Sequence, residues 1–397
     1  MGPVQQPVPR LHGRQAARDP EGQQRRPHLL SPAGDEFRRP LGHAPFLRRA
    51  GGRKRRLHPG RREMTFGATI LDAEGTRLTE DETAFFREAD PFGFILFARN
   101  IADADQLMTL CDQMREAVGR DAPILIDQEG GRVQRLRPPL AREWEPPLDF
   151  SRRAGAAATE AMYLRYLITA LELRSYGIDV NCAPMVDVPR PETHDFLTDR
   201  CYGTTPAEAA GLGRAVAMGL QAGGVLPVVK HVPGHGLATA DSHHDLPVVT
   251  APRETLDAVD FAPFKVLNDL PMAMTAHVVY EAIDERPATL SPRAVQVIRN
   301  DIGFDGLLMT DDISMKALEG SYSDITRGSL AAGCDVVLLC NATLAERAAV
   351  ADAAGRMSSA AQERADRALA LRDQAAEVDI QAVEEKLEAL LHGRDDG

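Results

Sequence analysis

Eight short apolar runs, spaced along residues 67–340 and separated by longer amphipathic segments, constrain this chain more than any other feature. They are GATIL at 67–71, GFILFA at 93–98, PILID at 123–127, IDVNCAP at 178–184, LPVVKH at 226–231, MAMTAH at 272–277, GLLMTDD at 306–312 and CDVVLLC at 334–340. Near-continuous apolar runs of this length suit strands covered on both faces, as in a parallel sheet flanked by helices. Between them, ADADQLMTLCDQMREAV (102–118), AMYLRYLITALELRSYG (161–177) and PAEAAGLGRAVAMGLQAGG (206–224) read as amphipathic helices, the last stopped by Gly223 and Gly224. Eight such units predict an α/β fold closed into a single (β/α)8 TIM-type barrel, because an open doubly wound sheet usually has five or six strands.

The ends of the chain differ from this middle. Residues 1–63 are rich in Pro, Gly, Arg and Gln without helical or strand periodicity, so a disordered N-terminal extension is expected, with Met64 as the natural start. A basic arm for nucleic acid and a transit peptide are the functional alternatives for that stretch. Residues 64–342 hold the barrel, and 343–397 read as helices rich in Ala, Glu and Arg that cap it or pack on its flank. The net charge of −12 conceals the arginines of the extension, so the body is more acidic still, which argues against nucleic acid or an anionic membrane as partner. The five cysteines are odd in number and lack CxxC spacing, which suits reduced thiols in a reducing compartment. No run of 18 apolar residues suggests a membrane span, and the N-terminus lacks the apolar core of a secretory signal.

In a barrel the carboxyl ends of all strands share one mouth, so polar residues at those ends would converge. The third run ends in Asp127 and continues QEGGRVQR, the fourth leads to Asp187, the fifth ends in Lys230 and His231, the sixth in His277, and the seventh in Asp311 and Asp312. Asp311, closing an apolar strand, is the candidate nucleophile, with Asp312 expected to cap a helix over ISMKALEG; the bland alternative is that both are loop or cap acids. His243 suits a proton shuttle, and Asp241 could orient its ring. Asp127, Arg135, Arg200, Lys230 and His231 combine several donors with one acceptor carboxylate, the mix a sugar ring needs. Lys230 could alternatively form a Schiff base, and His231, His235, His243 and His244 could hold a metal, although neither an HxH pair nor placed carboxylates support that.

The segments IDQEGGRVQR (126–135), NCAPMVDV (181–188), KHVPGHG (230–236) with DSH (241–243), MTAHVVY (274–280) and MTDDISM (309–315) resemble the β-N-acetylglucosaminidases of glycoside hydrolase family 3, the single-domain bacterial type known as NagZ. The similarity runs in order from Met64 to about residue 342. It implies a cytoplasmic enzyme of peptidoglycan recycling that releases N-acetylglucosamine from muropeptides carrying 1,6-anhydro-N-acetylmuramic acid, with retention of configuration and no cofactor. By motif position Asp311 would form the glycosyl-enzyme, and His243 supported by Asp241 would be the acid/base. Asp127, Arg135, Arg200, Lys230 and His231 would bind the sugar. Val232 departs from the Phe common at its motif position, and His244 offers a second imidazole beside His243. A β-glucosidase of the same family, an N-acetylglucosaminide phosphorylase, a lyase acting through Lys230 and a non-catalytic sugar-binding barrel are the other readings.

Overall fold

The structure, a computed structural model, describes residues 65–238, 245–372 and 378–392. The expectation for residues 1–63 and those for Asp241, His243 and His244 lie outside these residues. Eight parallel strands close into a barrel: β1 (Gly67–Asp72), β2 (Pro91–Leu96), β3 (Ile124–Ile126), β4 (Val180–Asn181), β5 (Leu226–Val232), β6 (Met272–Thr275), β7 (Leu307–Asp312) and β8 (Val336–Leu339). Each strand pairs with its neighbours in sequence, and the ring closes where Thr69 and Leu71 of β1 lie opposite Val337 and Leu339 of β8. The fold class expected from the eight apolar runs is the one observed.

Alternation along each strand divides the core in two. Ile70, Leu125, Val180, Val228, Met272, Met309 and Leu338 point inward and fill the barrel, whereas Leu71, Ile124, Ile126, Val229, Ala273, Leu308 and Val337 point outward into the helical layer. Both faces are dry, which is why the strands read as continuous apolar runs. The helices that cover them include α1 (Glu80–Ala89), α2 (Ala104–Val118), α3 (Ala158–Ser175) and α4 (Pro206–Ala222). Side-chain caps set the starts of α1, α2 and α4: Thr79 and Thr205 form capping boxes with Glu82 and Glu208, and Asp103 accepts from the Gln106 N–H. At its other end α4 gives way to Gly224, whose φ of 77° turns the chain into β5.

The expected helix over ISMKALEG does not form. The Asp312 carboxylate accepts from the Ser314 and Cys340 N–H groups, fixing a turn between β7 and β8, and Ile313, Met315, Ala317 and Leu318 are all buried rather than spaced along one helical face. Helix α5 (Tyr322–Ala332) starts only after Gly320, capped by Ser321. Three helices follow the last strand: α6 (Leu344–Ala354), α7 (Ser359–Leu369) and α8 (Ile380–His392). Ala361, Ala365 and Ala368 of α7, with Met357 before it, join the inward-facing cluster, so α7 closes the base of the barrel. The Met357 N–H donates to the Phe66 carbonyl at the start of β1, and α8 packs on α3.

Candidate active site

The carboxyl ends of the strands surround a cleft of about 590 Å³. Asp127, Arg135, Arg200, Lys230, His231 and Asp311, six of the eight site residues expected from sequence, all line it. Asp241 and His243, the other two, lie outside the described residues.

β3 delivers Asp127 at its tip, and a short hairpin, Gln128–Gly130 against Val133–Gln134, turns the chain back so that Arg135 Nη2 donates to Asp127 Oδ2 at 3.0 Å. The buried Gln128 side chain holds this hairpin, accepting from the Arg135 and Leu136 N–H groups and donating to the Leu136 carbonyl. Arg135 lies over the Phe97 ring, and its buried Nε has no hydrogen-bond partner.

β5 supplies two neighbouring residues to the same cleft. Successive strand residues ordinarily face opposite sides, but the register of β5 on β6 shifts between Lys230 and Val232, so Lys230 and His231 both line the cleft. Lys230 Nζ lies 3.0 Å from Asp127 Oδ1 and 2.6 Å from Glu129 Oε1. Glu129 also takes Arg200 as a fork, Nε and Nη2 each donating at 2.9 Å. Burial opposes ionisation of these carboxyls, yet the facing cations outweigh it: Asp127 is held well below the usual carboxylate range by Lys230 and Arg135, and Glu129 at about 2 by Arg200 and Lys230. Lys230 in turn is pushed above its ordinary value because Asp127 and Glu129 overcome its desolvation. An ammonium held this firmly is a poor imine-forming nucleophile, which counts against the Schiff-base alternative.

Glu129 is the functional residue that sequence reasoning missed. Its side chain is 0% exposed, against 16% for Asp127, so it acts by holding Arg200 and Lys230 rather than by touching a ligand. The available signal was its position two residues after Asp127, which places both on one face of an extended segment. Asp187, read from sequence only as a strand-end acid, is also fully buried: Oδ2 lies 2.7 Å from His231 Nδ1 and Oδ1 accepts the His235 N–H at 2.6 Å.

Asp311 stands at the tip of β7 with its side chain 20% exposed to the cleft, 3.9 Å from His231 Nε2. Its Oδ1 accepts the Asp312 N–H at 2.8 Å. Burial raises its pKa, but His231, His277, that N–H and Lys230 together draw it below the ordinary value, leaving an ionised carboxylate facing the opening. Asp312 differs: burial pushes its carboxyl up to about 6 despite the donors from Ser314 and Cys340. His277 Nε2–H donates to the Asp312 carbonyl and Nδ1 pairs with Thr289 Oγ1, bracing the end of β7. Among the described residues no group of three His, Cys, Asp or Glu side chains is placed to hold a metal.

The segment leaving β5 is anchored before the described residues end at Ala238. Thr193 Oγ1 donates to the Gly236 carbonyl, Tyr280 to that of Gly234, and a Cβ at Gly236 would fall 2.0 Å from the Val188 carbonyl oxygen. Gly236→Ala is therefore expected to push this segment off its seat, costing about 1–3 kcal/mol of stability by overpacking and lowering kcat with it. Urea unfolding and steady-state rates on the purified variant check this.

The chain matches the family described as "Glycosyl hydrolase family 3 N terminal domain" over residues 71–371. It is 37% identical over 295 residues to a beta-hexosaminidase of Thiobacillus denitrificans, covering 70% of this chain and 79% of that one. It is 38% identical over 277 residues to one of Methylococcus capsulatus, covering 68% and 82%. Among solved structures it resembles native NagZ from Neisseria gonorrhoeae, at 29% identity and a TM-score of 0.72, covering 83% of this chain and 96% of that one. The same enzyme in complex with N-trifluoroacetyl-D-glucosamine matches at 30% identity, with a TM-score of 0.72 and the same coverage.

Proposed function

The chain belongs to glycosyl hydrolase family 3 and is a glycoside hydrolase of the β-N-acetylhexosaminidase kind, and from that premise we propose that it is a retaining exo-β-N-acetylglucosaminidase acting on muropeptides in peptidoglycan recycling. Its substrates are fragments in which N-acetylglucosamine is linked to 1,6-anhydro-N-acetylmuramic acid, and its place is the cytoplasm. Among the described residues no helix is long and apolar enough to cross a membrane.

The observation that carries the reading is Asp311: an ionised, part-exposed carboxylate beside a fixed set of cations and acceptors that can grip one sugar. Asp311 attacks the anomeric carbon while His243 protonates the leaving oxygen. His243 then takes a proton from water, which releases the sugar, and Asp241 orients the imidazole through both steps. Asp127 accepts sugar hydroxyls; Arg135, Arg200, Lys230 and His231 complete the grip. An imidazole in place of a second carboxylic acid departs from the usual pair of acids, and it spares the site another negative charge beside Asp127, Glu129, Asp187 and Asp311. Asp127 and Glu129 are each committed to cations, so neither is free to act as the acid.

His243→Ala tests the assignment. It is expected to lower muropeptide turnover about 10²–10⁴-fold, the usual worth of general acid–base catalysis, while an activated nitrophenyl N-acetylglucosaminide, whose leaving group needs little protonation, loses less in the first step. Equal, wild-type rates on both substrates would remove His243 from the mechanism. Running the plain nitrophenyl glucoside alongside decides between this activity and a β-glucosidase.

A further inference from the structure

His231 is lodged between two carboxylates that belong to different strand ends. Asp187, after β4, lies 2.7 Å from Nδ1, and Asp311, at the tip of β7, lies 3.9 Å from Nε2. Asp187 itself is closed off from solvent, and the donors on it are the His231 and His235 backbone N–H groups and the His231 ring. That is more fixing than a sugar-binding histidine needs, and Asp187 itself does not line the cleft. We propose that Asp187 is a positioning residue for hydrolysis: by holding His231 Nδ1–H it keeps the ring doubly protonated, with Nε2–H turned to Asp311 to keep the nucleophile ionised.

An imidazole flanked by two carboxylates favours a proton on each nitrogen, because either lone pair would otherwise face negative charge. The other groups around it are consistent with that charge. His235, 5.5 Å away ring to ring, is pushed down to about 4 by burial and then by His231, so its ring stays neutral and it reaches Asp187 through its backbone N–H. Asp187 is drawn below the carboxylate range, burial notwithstanding, by His231 first and His235 after it. Arg200 and Asp260 also lie within the field of Asp187, and Lys230 and His277 within that of Asp311. Asp260 is itself paired by Nη1 and Nη2 of Arg190, at 2.8 and 2.6 Å.

This role rests on the reading of Asp311 as nucleophile. Asp187→Asn keeps the shape and one acceptor oxygen for the two backbone N–H groups, but its amide now donates to His231 Nδ1, leaving a neutral ring with Nε2–H still toward Asp311. On the full-length protein, with nitrophenyl N-acetylglucosaminide, the acid limb of kcat/KM is expected to move to higher pH by roughly one unit. That is about a tenfold loss on the limb with recovery at alkaline pH, and KM changes little. ¹⁵N NMR of the imidazole should show both nitrogens protonated at neutral pH in the wild type and one in the variant. His231→Gln, which spares Asp187, should move the limb in the same direction, and the double variant no further. A folded Asp187→Asn, or His231→Gln should the former not fold, whose acid limb stays at the wild-type position overturns the role. Labelling of the wild type by a fluorinated N-acetylglucosamine analogue is the separate control: a label absent from Asp311 sinks the nucleophile reading, whereas a label on Asp311 with an unmoved limb sinks only Asp187.

Discussion

Asp311→Asn and Asp311→Ala are each expected to lower kcat on nitrophenyl N-acetylglucosaminide on the order of 10⁴-fold or more, because under the proposed mechanism no covalent intermediate forms without the carboxylate. The fold should survive. The side chain makes one backbone hydrogen bond, from the Asp312 N–H, which the asparagine oxygen can still accept, and an anion held beside His231 and His277 does more for chemistry than for packing. The alanine variant gives a sharper result: it opens room for azide on the face of the sugar that Asp311 occupied, so added azide should restore turnover with a glycosyl azide of inverted configuration. Activity within tenfold of wild type in either variant, at unchanged melting temperature, would place the nucleophile elsewhere.

Glu129→Leu is expected to cost about 3–5 kcal/mol of stability, the usual consequence of removing one partner from a buried ion cluster. For a chain of this size that corresponds to a fall of roughly 5–15 °C in melting temperature. The substitution takes from Arg200 the carboxylate that accepts its two 2.9 Å bonds, and leaves Lys230 with its 3.0 Å ion pair to Asp127 in place of two. The kcat/KM should drop too, since both cations would relax toward the opening. A pH arm separates charge from shape. Glu129 titrates at about 2 when folded rather than its usual 4.5, so its contribution is complete above the unfolded value and is lost as pH falls toward the folded one. Urea titrations of wild type should therefore show stability declining through that acid window, with a shallower decline in Glu129→Leu. Equal midpoints for the two proteins would mean that the cluster does not hold the barrel mouth together.

The barrel was legible because its determinant is local and repeated: eight apolar runs flanked by capped amphipathic helices leave few alternatives. The residues at the strand tips were legible for the same reason, since a charge ending a buried strand has one direction to point. Partnership was not. Glu129 meets Arg200 across 71 positions of sequence and Lys230 from another strand, and its spacing from Asp127 gives its face but neither of these partners. Asp187 was visible as a strand-end acid, but its grip on His231 depends on how β4 and β5 lie together. The ISMKALEG stretch misled because its apolar residues suit a helix locally, while the Asp312 carboxylate and the barrel rim impose a turn.

The plug that α7 makes beneath the strands has a kinetic corollary. Ala361, Ala365 and Ala368 stopper the far end of the cylinder, and the inward side chains of β1 to β8 fill its length, so substrate and products share one doorway. On the proposed reading a sugar seated innermost, against Lys230 and Asp127, would depart last, after the leaving group has backed out. Free N-acetylglucosamine should accordingly re-enter an empty enzyme and slow it competitively, and the enzyme should trim chain ends one residue at a time rather than cut within a strand of glycan.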